Sequence, residues 1–437
     1  MSRSVALSHV LMAAGETGSL SGIGYVSGIG YVSGIGYVSG IGYVSGIGHG
    51  GAGSPGNRIP VQWPGTVPTA PEGTYSPTVA IFDTGLGKHD WFPDDTDDGG
   101  GAQVAGETQA APVTRKLKLN GLTIGLDFDP EDDPEISGIT LDPINGGLDP
   151  MAGHGTFIAG IIRAACPSAH LISVPVMYGD GACDEFDLIT ALERLHDRHL
   201  LSLAGDIDAP PLDIINLSMG YYDEGSNKVV NSAGLQAILR KLAEAGVTIV
   251  AGAGNGGSDM KFWPAAMCPD FLETTGAPIV SVGSCNPGSL RVSHFSNTGG
   301  WVRVYRPGAG VVSTMPTTFD GSAQSGILAQ VRSASVQDDA SAAIARDIPV
   351  RGAMDMDDFS GGFGLWSGTS FSAPYFAGQL AQDLALLRTK ELDPQSSAST
   401  EPNPGVRSDE EIEELIKMRS ATARALVNSL CEDKGPR

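Results

Sequence analysis

The chain has few basic residues. Its 437 residues include 27 Lys and Arg against 50 Asp and Glu, so the formal net charge is −23. A protein that binds the phosphate backbone of a nucleic acid needs a basic surface. The charge balance therefore argues against a nucleic-acid partner.

Long apolar runs are also missing. No run approaches the ~20 residues that a membrane-spanning helix needs, so we predict no integral membrane segment. The apolar stretch from Val5 to Ala14 is interrupted by Ser8 and His9, which makes it a weak match to a secretory signal. The sequence leaves the compartment open between the cytoplasm and the exterior.

Cysteine is scarce as well. The first four of the five cysteines form two pairs of equal spacing, and the fifth stands alone: Cys166 with Cys183, Cys268 with Cys285, and Cys431. In an oxidising compartment these pairs are candidate disulfide bridges, although sequence does not settle connectivity. Buried, reduced thiols are the alternative.

Glycine, by contrast, is abundant, and much of it lies in a repeat at residues 21–48. This segment holds four copies of Ser-Gly-Ile-Gly-Tyr-Val and a final Ser-Gly-Ile-Gly. Six-residue repeats occur in β-solenoids, but these are too few to stack a core, and their glycines are costly to order. We interpret residues 1–77 as a low-complexity arm and linker.

From Thr78 the pattern is that of a folded α/β domain, which we place at residues 78–389. Apolar runs predict buried strands, and a period of 3.6 residues between them predicts helices. The strands are expected at 78–82, 171–177, 213–219, 248–253 and 278–283, and the helices at 154–165, 184–200 and 235–242. This alternation predicts a mostly parallel central sheet covered by helices on both faces.

Four further segments complete the predicted organisation. Insertions are expected at about 89–147 and 317–357, and a Pro/Ser-rich linker at 390–407. Residues 408–431 read as a C-terminal amphipathic helix, which Ser408 and Glu411 begin as a capping box.

Ser370 lies where the segment Ser367-Gly-Thr-Ser-Phe-Ser-Ala-Pro374 enters a predicted helix. At a helix start a hydroxyl lies beside unpaired backbone N–H groups and the positive end of the helix dipole. That environment suits a nucleophile that generates an oxyanion. It also suits an ordinary helix cap, which is the alternative reading of a lone serine.

Three further residues are placed at the ends of predicted elements. Asp83 follows a strand, His154 begins a helix, and Asn255 follows another strand. A serine needs a base to take its proton, and a carboxylate orients that base. An asparagine amide can donate to the oxyanion together with the backbone N–H of Ser370.

The order Asp, His, Asn, Ser, within IFDTG, GHGTFIAG, AGNG and SGTSFSAP, together with INLSMG, resembles the subtilisin-like serine proteases, or subtilases. The resemblance runs from about Thr78 to Leu387. It implies a subtilisin-like three-layer fold and a serine endopeptidase with a polypeptide substrate. The implied triad is Asp83, His154 and Ser370, with Asn255 in the oxyanion hole. The implied substrate-binding residues are Ser218, Met219, Gly220, Ala251, Gly252, Ala253 and Gly254.

The chain also departs from the family pattern. Tyr375 and Ala373 replace a histidine and a serine, and residues 1–77 contain no recognisable inhibitory pro-domain. A maturation peptidase for the leader of one partner is an alternative function, and an inactive binding scaffold is a non-enzymatic one. We expect a monomer.

Two acidic clusters, Asp94 to Asp98 and Asp127 to Glu135, raise the question of a metal. The resemblance allows a structural calcium ion, but the second cluster lacks the glycine of an EF-hand loop. We interpret both clusters as a solvated acidic rim and expect that no cofactor is required.

Overall fold

The computed structural model describes residues 10–13, 58–93, 111–141, 144, 147–222, 233–288, 291–319, 357–392 and 406–432. The glycine-rich repeat at 21–48, the first acidic cluster and most of the insertion predicted at 317–357 lie outside these residues.

The described residues form sixteen strands and five α-helices. The strands are β1 (Val10–Ala13), β2 (Ile59–Pro60), β3 (Thr78–Asp83), β4 (Val113–Thr114), β5 (Lys118–Leu119), β6 (Leu122–Thr123), β7 (His170–Pro175), β8 (Ala182–Asp184), β9 (Ile214–Leu217), β10 (Met219–Tyr222), β11 (Thr248–Gly252), β12 (Phe262–Trp263), β13 (Ile279–Cys285), β14 (Val304–Pro307), β15 (Val311–Thr314) and β16 (Phe363–Trp366). The helices are α1 (His154–Ala165), α2 (Glu185–Ala204), α3 (Ala233–Glu244), α4 (Thr369–Leu392) and α5 (Asp409–Glu432), and a 3₁₀ helix covers Ala265–Phe271.

A seven-stranded sheet lies at the centre, in the order β14-β13-β11-β9-β3-β7-β4. Every neighbouring pair in it is parallel. Successive side chains of a strand point to opposite faces, yet every residue of β3, β11 and β13 is buried. Both faces of the sheet are therefore covered, and the predicted α/β fold class is confirmed.

The helices lie where the apolar periodicity predicts them. Helix α1 has the predicted bounds, α2 continues past 200 to Ala204, and α3 extends beyond 235–242 at both ends. Helix α1 packs against α4, and α2 packs against α3. None of the described helices combines the length and apolarity that crossing a bilayer requires.

The strand predicted at 213–219 is in fact two strands. It leaves the central sheet after Leu217, and β10 then pairs antiparallel with β1 and β12. Ser218 lies at the break, where its hydroxyl donates to the backbone oxygen of Ser370 at 2.8 Å. The chain is thus bonded to the start of α4 at the point where it leaves the central sheet.

The C-terminal helix α5 is clamped to the sheet by a buried ion pair. Arg419 Nη2 lies 3.0 Å from Asp213 Oδ1, and Asp213 Oδ2 accepts a hydrogen bond of 2.8 Å from the backbone N–H of Thr78. The predicted capping box is present, because Ser408 N donates to Glu411 Oε2 at 2.8 Å. Asp213 thus bridges helix α5 and the beginning of β3.

All five cysteines are free thiols, so neither candidate bridge, 166–183 or 268–285, is formed. Four of them are buried, and burial raises the pKa of the Cys166, Cys268 and Cys285 thiols. The alternative of buried, reduced cysteines is the one that the structure supports.

Parts of the segment interpreted as arm and linker pack on the domain. Strand β2 pairs with β16, and β1 lies between β8 and β10. The division of the chain into arm, domain, linker and terminal helix stays a prediction.

Candidate active site

Asp83 and His154 meet in the core of the molecule. Asp83 is the last residue of β3, and His154 is the first of α1. The His154 Nδ1 and Asp83 Oδ1 atoms lie 2.7 Å apart, and both side chains are fully buried. A Cβ at Gly155 would lie 2.2 Å from the Gly85 oxygen, so only glycine lets α1 approach the end of β3 this closely.

The carboxylate of Asp83 is held by its own loop. Oδ1 accepts from the Thr84 backbone N–H at 2.9 Å and from the Thr84 hydroxyl at 3.2 Å. The imidazole of His154 packs against the rings of Trp366 and Phe371, with centroids 5.4 and 5.3 Å away. Its Nε2 atom has no hydrogen-bond partner among the described residues. That nitrogen is therefore available to take a proton.

Ser370 is the second residue of α4, next to the Phe371 ring that packs on the imidazole. Its hydroxyl donates to the backbone oxygen of Ser218 at 3.4 Å, a long bond. Hydrogen bonds between a nucleophile and its base are often unformed without substrate. The hydroxyl makes no hydrogen bond to His154 Nε2, which has no partner among the described residues.

Asn255 follows β11 in a turn held against the start of α4. Its Oδ1 accepts from the Thr369 N–H at 2.9 Å, and the Thr369 hydroxyl accepts from the Gly254 N–H at 3.0 Å. Because Thr369 N can only donate, the oxygen of the amide must face it. The Nδ2 group is buried and unpartnered among the described residues, so the turn presents a donor beside the residue that precedes Ser370.

The predicted substrate-binding residues lie on neighbouring elements. Ser218 connects β9 to β10, which begins with Met219 and Gly220. Ala251 and Gly252 end β11, and Ala253 and Gly254 follow it. Since β9 and β11 are adjacent parallel strands, these residues meet at the carboxyl edge of the sheet, where α/β proteins bind ligands.

Strand β1 already occupies the position beside β10. Met12 pairs with Gly220 and Ala13 with Met219, both antiparallel, and the other edge of β1 pairs with β8. The Leu11 side chain is fully buried, whereas Met12 is 38% exposed. An extended peptide of this chain therefore lies between β8 and β10, within one residue of Ser218.

A model of the subtilase family matches residues 75–418. The chain belongs to the subtilase family. Subtilisin E of Bacillus subtilis is 27% identical over 179 residues, which cover 38% of this chain and 39% of that protein. A cuticle-degrading serine protease of Arthrobotrys oligospora is 28% identical over 170 residues, 38% of this chain and 35% of that protein. The chain thus spans about two fifths of the curated relatives that it matches.

Among solved structures, a variant of the protease domain of PatA is similar at 20% identity, with a TM-score of 0.42. The similarity covers 78% of this chain and 95% of that one.

The sequence reasoning gave no role to several residues that support the site of this subtilase. Asn297 braces the turn of Asn255, because its Nδ2 donates to the Ala253 oxygen at 2.8 Å and its backbone N–H to the Gly254 oxygen at 2.9 Å. Thr84 and Thr369 each adjoin a predicted site residue. That adjacency is a signal by which the two threonines could have been found.

Glu135 corrects the interpretation of the second acidic cluster. Its side chain is only 1% exposed, although Asp127, Asp129 and Glu131 in the same cluster lie at the surface. Burial raises the pKa of Glu135 to about 8, against hydrogen bonds from Thr156 and Thr84 that lower it. Among the described residues, no group of three or more His, Cys, Asp and Glu side chains could hold a metal ion.

Proposed function

We propose that this subtilase is an endopeptidase that hydrolyses peptide bonds through Ser370, His154 and Asp83. The observation that carries the proposal is the buried Asp83–His154 hydrogen bond of 2.7 Å, which leaves His154 Nε2 without a partner among the described residues. A carboxylate in this position fixes the tautomer of the imidazole and stabilises the imidazolium.

In the proposed reaction, the Ser370 hydroxyl transfers its proton to His154 Nε2 and its oxygen attacks the scissile carbonyl. Asn255 Nδ2 and the Ser370 N–H donate to the negative oxygen that forms. The imidazolium then protonates the leaving amine, which breaks the peptide bond and leaves an acyl ester on Ser370. Water, deprotonated by His154, releases the acid and restores the serine.

Labelling by a fluorophosphonate probe tests the proposal directly. We expect the wild-type chain to form an adduct that peptide mass spectrometry places on Ser370, and Ser370→Ala to form none. A folded wild-type chain that takes no label would support the inactive scaffold instead. Label on another residue would refute the assignment of the nucleophile.

The geometry of β1 supports an extended polypeptide as the substrate. A peptide that adds to a strand edge gains main-chain hydrogen bonds, while pockets select alternate side chains. Strand β1 binds in this manner, with Leu11 buried and Met12 partly exposed. We propose that substrates take the same position between β8 and β10, so that β1 competes with them.

Releasing β1 should therefore improve substrate binding. Leu11→Asp puts a charge into a fully buried position, and we expect KM for a peptide substrate to fall about tenfold with kcat unchanged, because a tethered competitor acts at up to ~mM effective concentration. Met12→Asp is the matched control, since that side chain already reaches solvent. Equal KM values in both variants and the wild type would exclude competition by β1.

The same feature bears on the alternative of a maturation peptidase. Competition from β1 restricts access to the cleft, as expected of a peptidase that acts on one leader. Casein hydrolysis by wild type and Leu11→Asp separates the two functions. A general endopeptidase degrades casein in both forms, whereas a leader peptidase that is restricted by β1 degrades it only in the released form, Leu11→Asp.

A further inference from the structure

We propose, on the basis of the peptidase function above, that Glu135 is a positioning residue that acts in its protonated form. Protonated Glu135 donates to Thr84, so that the single Thr84 hydroxyl proton is donated to Asp83. Ionisation of Glu135 withdraws that proton from Asp83 and lowers the rate at alkaline pH.

The Glu135 carboxyl group connects the two elements that carry Asp83 and His154. Its Oε1 contacts the Thr84 hydroxyl and accepts from the Gly155 N–H at 3.0 Å. Its Oε2 accepts from the Thr156 hydroxyl at 2.5 Å. Thr84 follows Asp83, and Gly155 and Thr156 follow His154. The side chain therefore touches neither Asp83 nor His154 in these bonds but binds their immediate neighbours.

The surrounding backbone leaves room for this side chain. Gly85 has a φ of +135°, and a Cβ there would lie 3.1 Å from Glu135 Cγ. At Gly87 a Cβ would lie 2.6 Å from the Glu135 backbone oxygen. Asp133 Oδ1 accepts from the Glu135 N–H at 2.8 Å and orients its segment. The loop that follows Asp83 and the segment around Glu135 thus pack closely against each other.

Proton counting gives Glu135 a specific role. The Thr84 oxygen accepts from the Gly155 N–H at 2.9 Å and lies 3.2 Å from Asp83 Oδ1 and closer to Glu135 Oε1. One hydroxyl proton cannot serve two carboxylates at full strength. If Glu135 carries a proton, it donates to Thr84 and Thr84 donates to Asp83 Oδ1, so each of these two contacts has a proton of its own.

Burial favours that protonated state. Glu135 is 1% exposed and Asp83 is fully buried. The titratable groups around Glu135 are Asp133 on its own segment, Asp83 at the end of β3 and, through Asp83, His154 on α1. Both neighbouring carboxylates raise the pKa of Glu135, which reaches about 8 mainly through burial.

The raised pKa of Glu135 also makes the stability of the folded protein depend on pH. The pKa of Glu135 in the folded protein lies above the ordinary value of 4.5 for a glutamate, so folding favours the protonated form. The stability contributed by Glu135 is complete below about pH 4.5 and is lost as the pH rises through about 8. Over the same rise the negative charge forms beside Asp83, and Asp83 loses one of its hydrogen-bond donors.

The test is the pH dependence of the fluorophosphonate labelling rate and of kcat/KM between pH 6 and 10. We expect the wild-type rate to fall about tenfold at the alkaline end, the size of effect of losing one hydrogen bond to a charged group. Glu135→Gln stays neutral and can still donate to Thr84, so its rate at pH 7 should stay within about threefold of wild type and should not fall at alkaline pH. Glu131→Gln, at an exposed site of the same segment, should follow the wild type.

An alkaline decline in Glu135→Gln equal to that of the wild type would overturn the inference. Thr84→Val provides a second measurement if Glu135→Gln does not fold. It removes the shared hydroxyl, so we expect about a tenfold lower rate at pH 7 and a flat profile above it, and an alkaline decline of wild-type size would equally overturn the inference. A folded wild-type chain that is not labelled at any pH would instead refute the proposed peptidase function itself.

Discussion

Ser370→Ala should lower kcat for peptide hydrolysis about 10⁶-fold, the magnitude known for the nucleophile of a subtilisin. The physical reason is that alanine has no oxygen to attack the carbonyl, so the ester intermediate cannot form. His154→Ala should cost about as much, since the hydroxyl then lacks its base. The double variant should be no worse than either single one, because the two residues act as a unit.

The measurement is single-turnover hydrolysis of a fluorogenic peptide, with binding followed separately. KM should change by no more than about threefold, because both residues act in the transition state rather than in substrate binding. Ser372→Ala is the matched control. The Ser372 hydroxyl lies on the same helix, is buried and has no hydrogen-bond partner among the described residues. Its removal should leave kcat at the wild-type value. Additive losses in the double variant would contradict a shared role.

Asn255 should have the second-largest effect. Removing an oxyanion donor costs about 10²–10³-fold in kcat, a range known for this donor in a subtilisin. Asn255→Ala should show that loss, and it should also destabilise the fold because the Thr369 N–H loses its acceptor.

Asn255→Asp separates the two effects. It keeps an oxygen for the Thr369 N–H but has no N–H to donate to the oxyanion. We therefore expect a thermal melting temperature nearer to that of the wild type than Asn255→Ala has, with kcat lowered at least as much. Retention of kcat by Asn255→Asp would show that the Nδ2 group is not an oxyanion donor. A KM that rises in proportion to the loss would assign Asn255 to substrate binding instead.

The sequence predicts the central sheet and the helices because burial on both faces leaves continuous apolar runs, as in β3 and β11. It also predicts that Asp83, His154 and Asn255 lie at the ends of elements. One tertiary contact of these elements was not predictable in this way. The strand is interrupted at Ser218, which bonds to the start of α4, and the run from 213 to 219 carries no local sign of that break.

Glu135 and β1 were missed for a related reason. Glu135 is 51 positions from Thr84, and its cluster has the composition of a solvated surface. Glu135 is buried because its side chain lies against the end of β3 and the start of α1, which are close together only in the folded protein. Strand β1 is only four residues long and pairs with β8 on one side and β10 on the other. The residue pattern of so short a segment does not predict these two partners.

The Arg419–Asp213 clamp has a consequence for the order in which the protein can be completed during synthesis. Asp213 leaves the ribosome long before Arg419, and a buried carboxylate without its cation is costly. Before α5 is made, packing the start of β3 against Asp213 would bury a carboxylate that has no counterion. The strand that carries Asp83 at its other end therefore completes this contact only after Arg419, 206 positions beyond Asp213, has been joined to the chain.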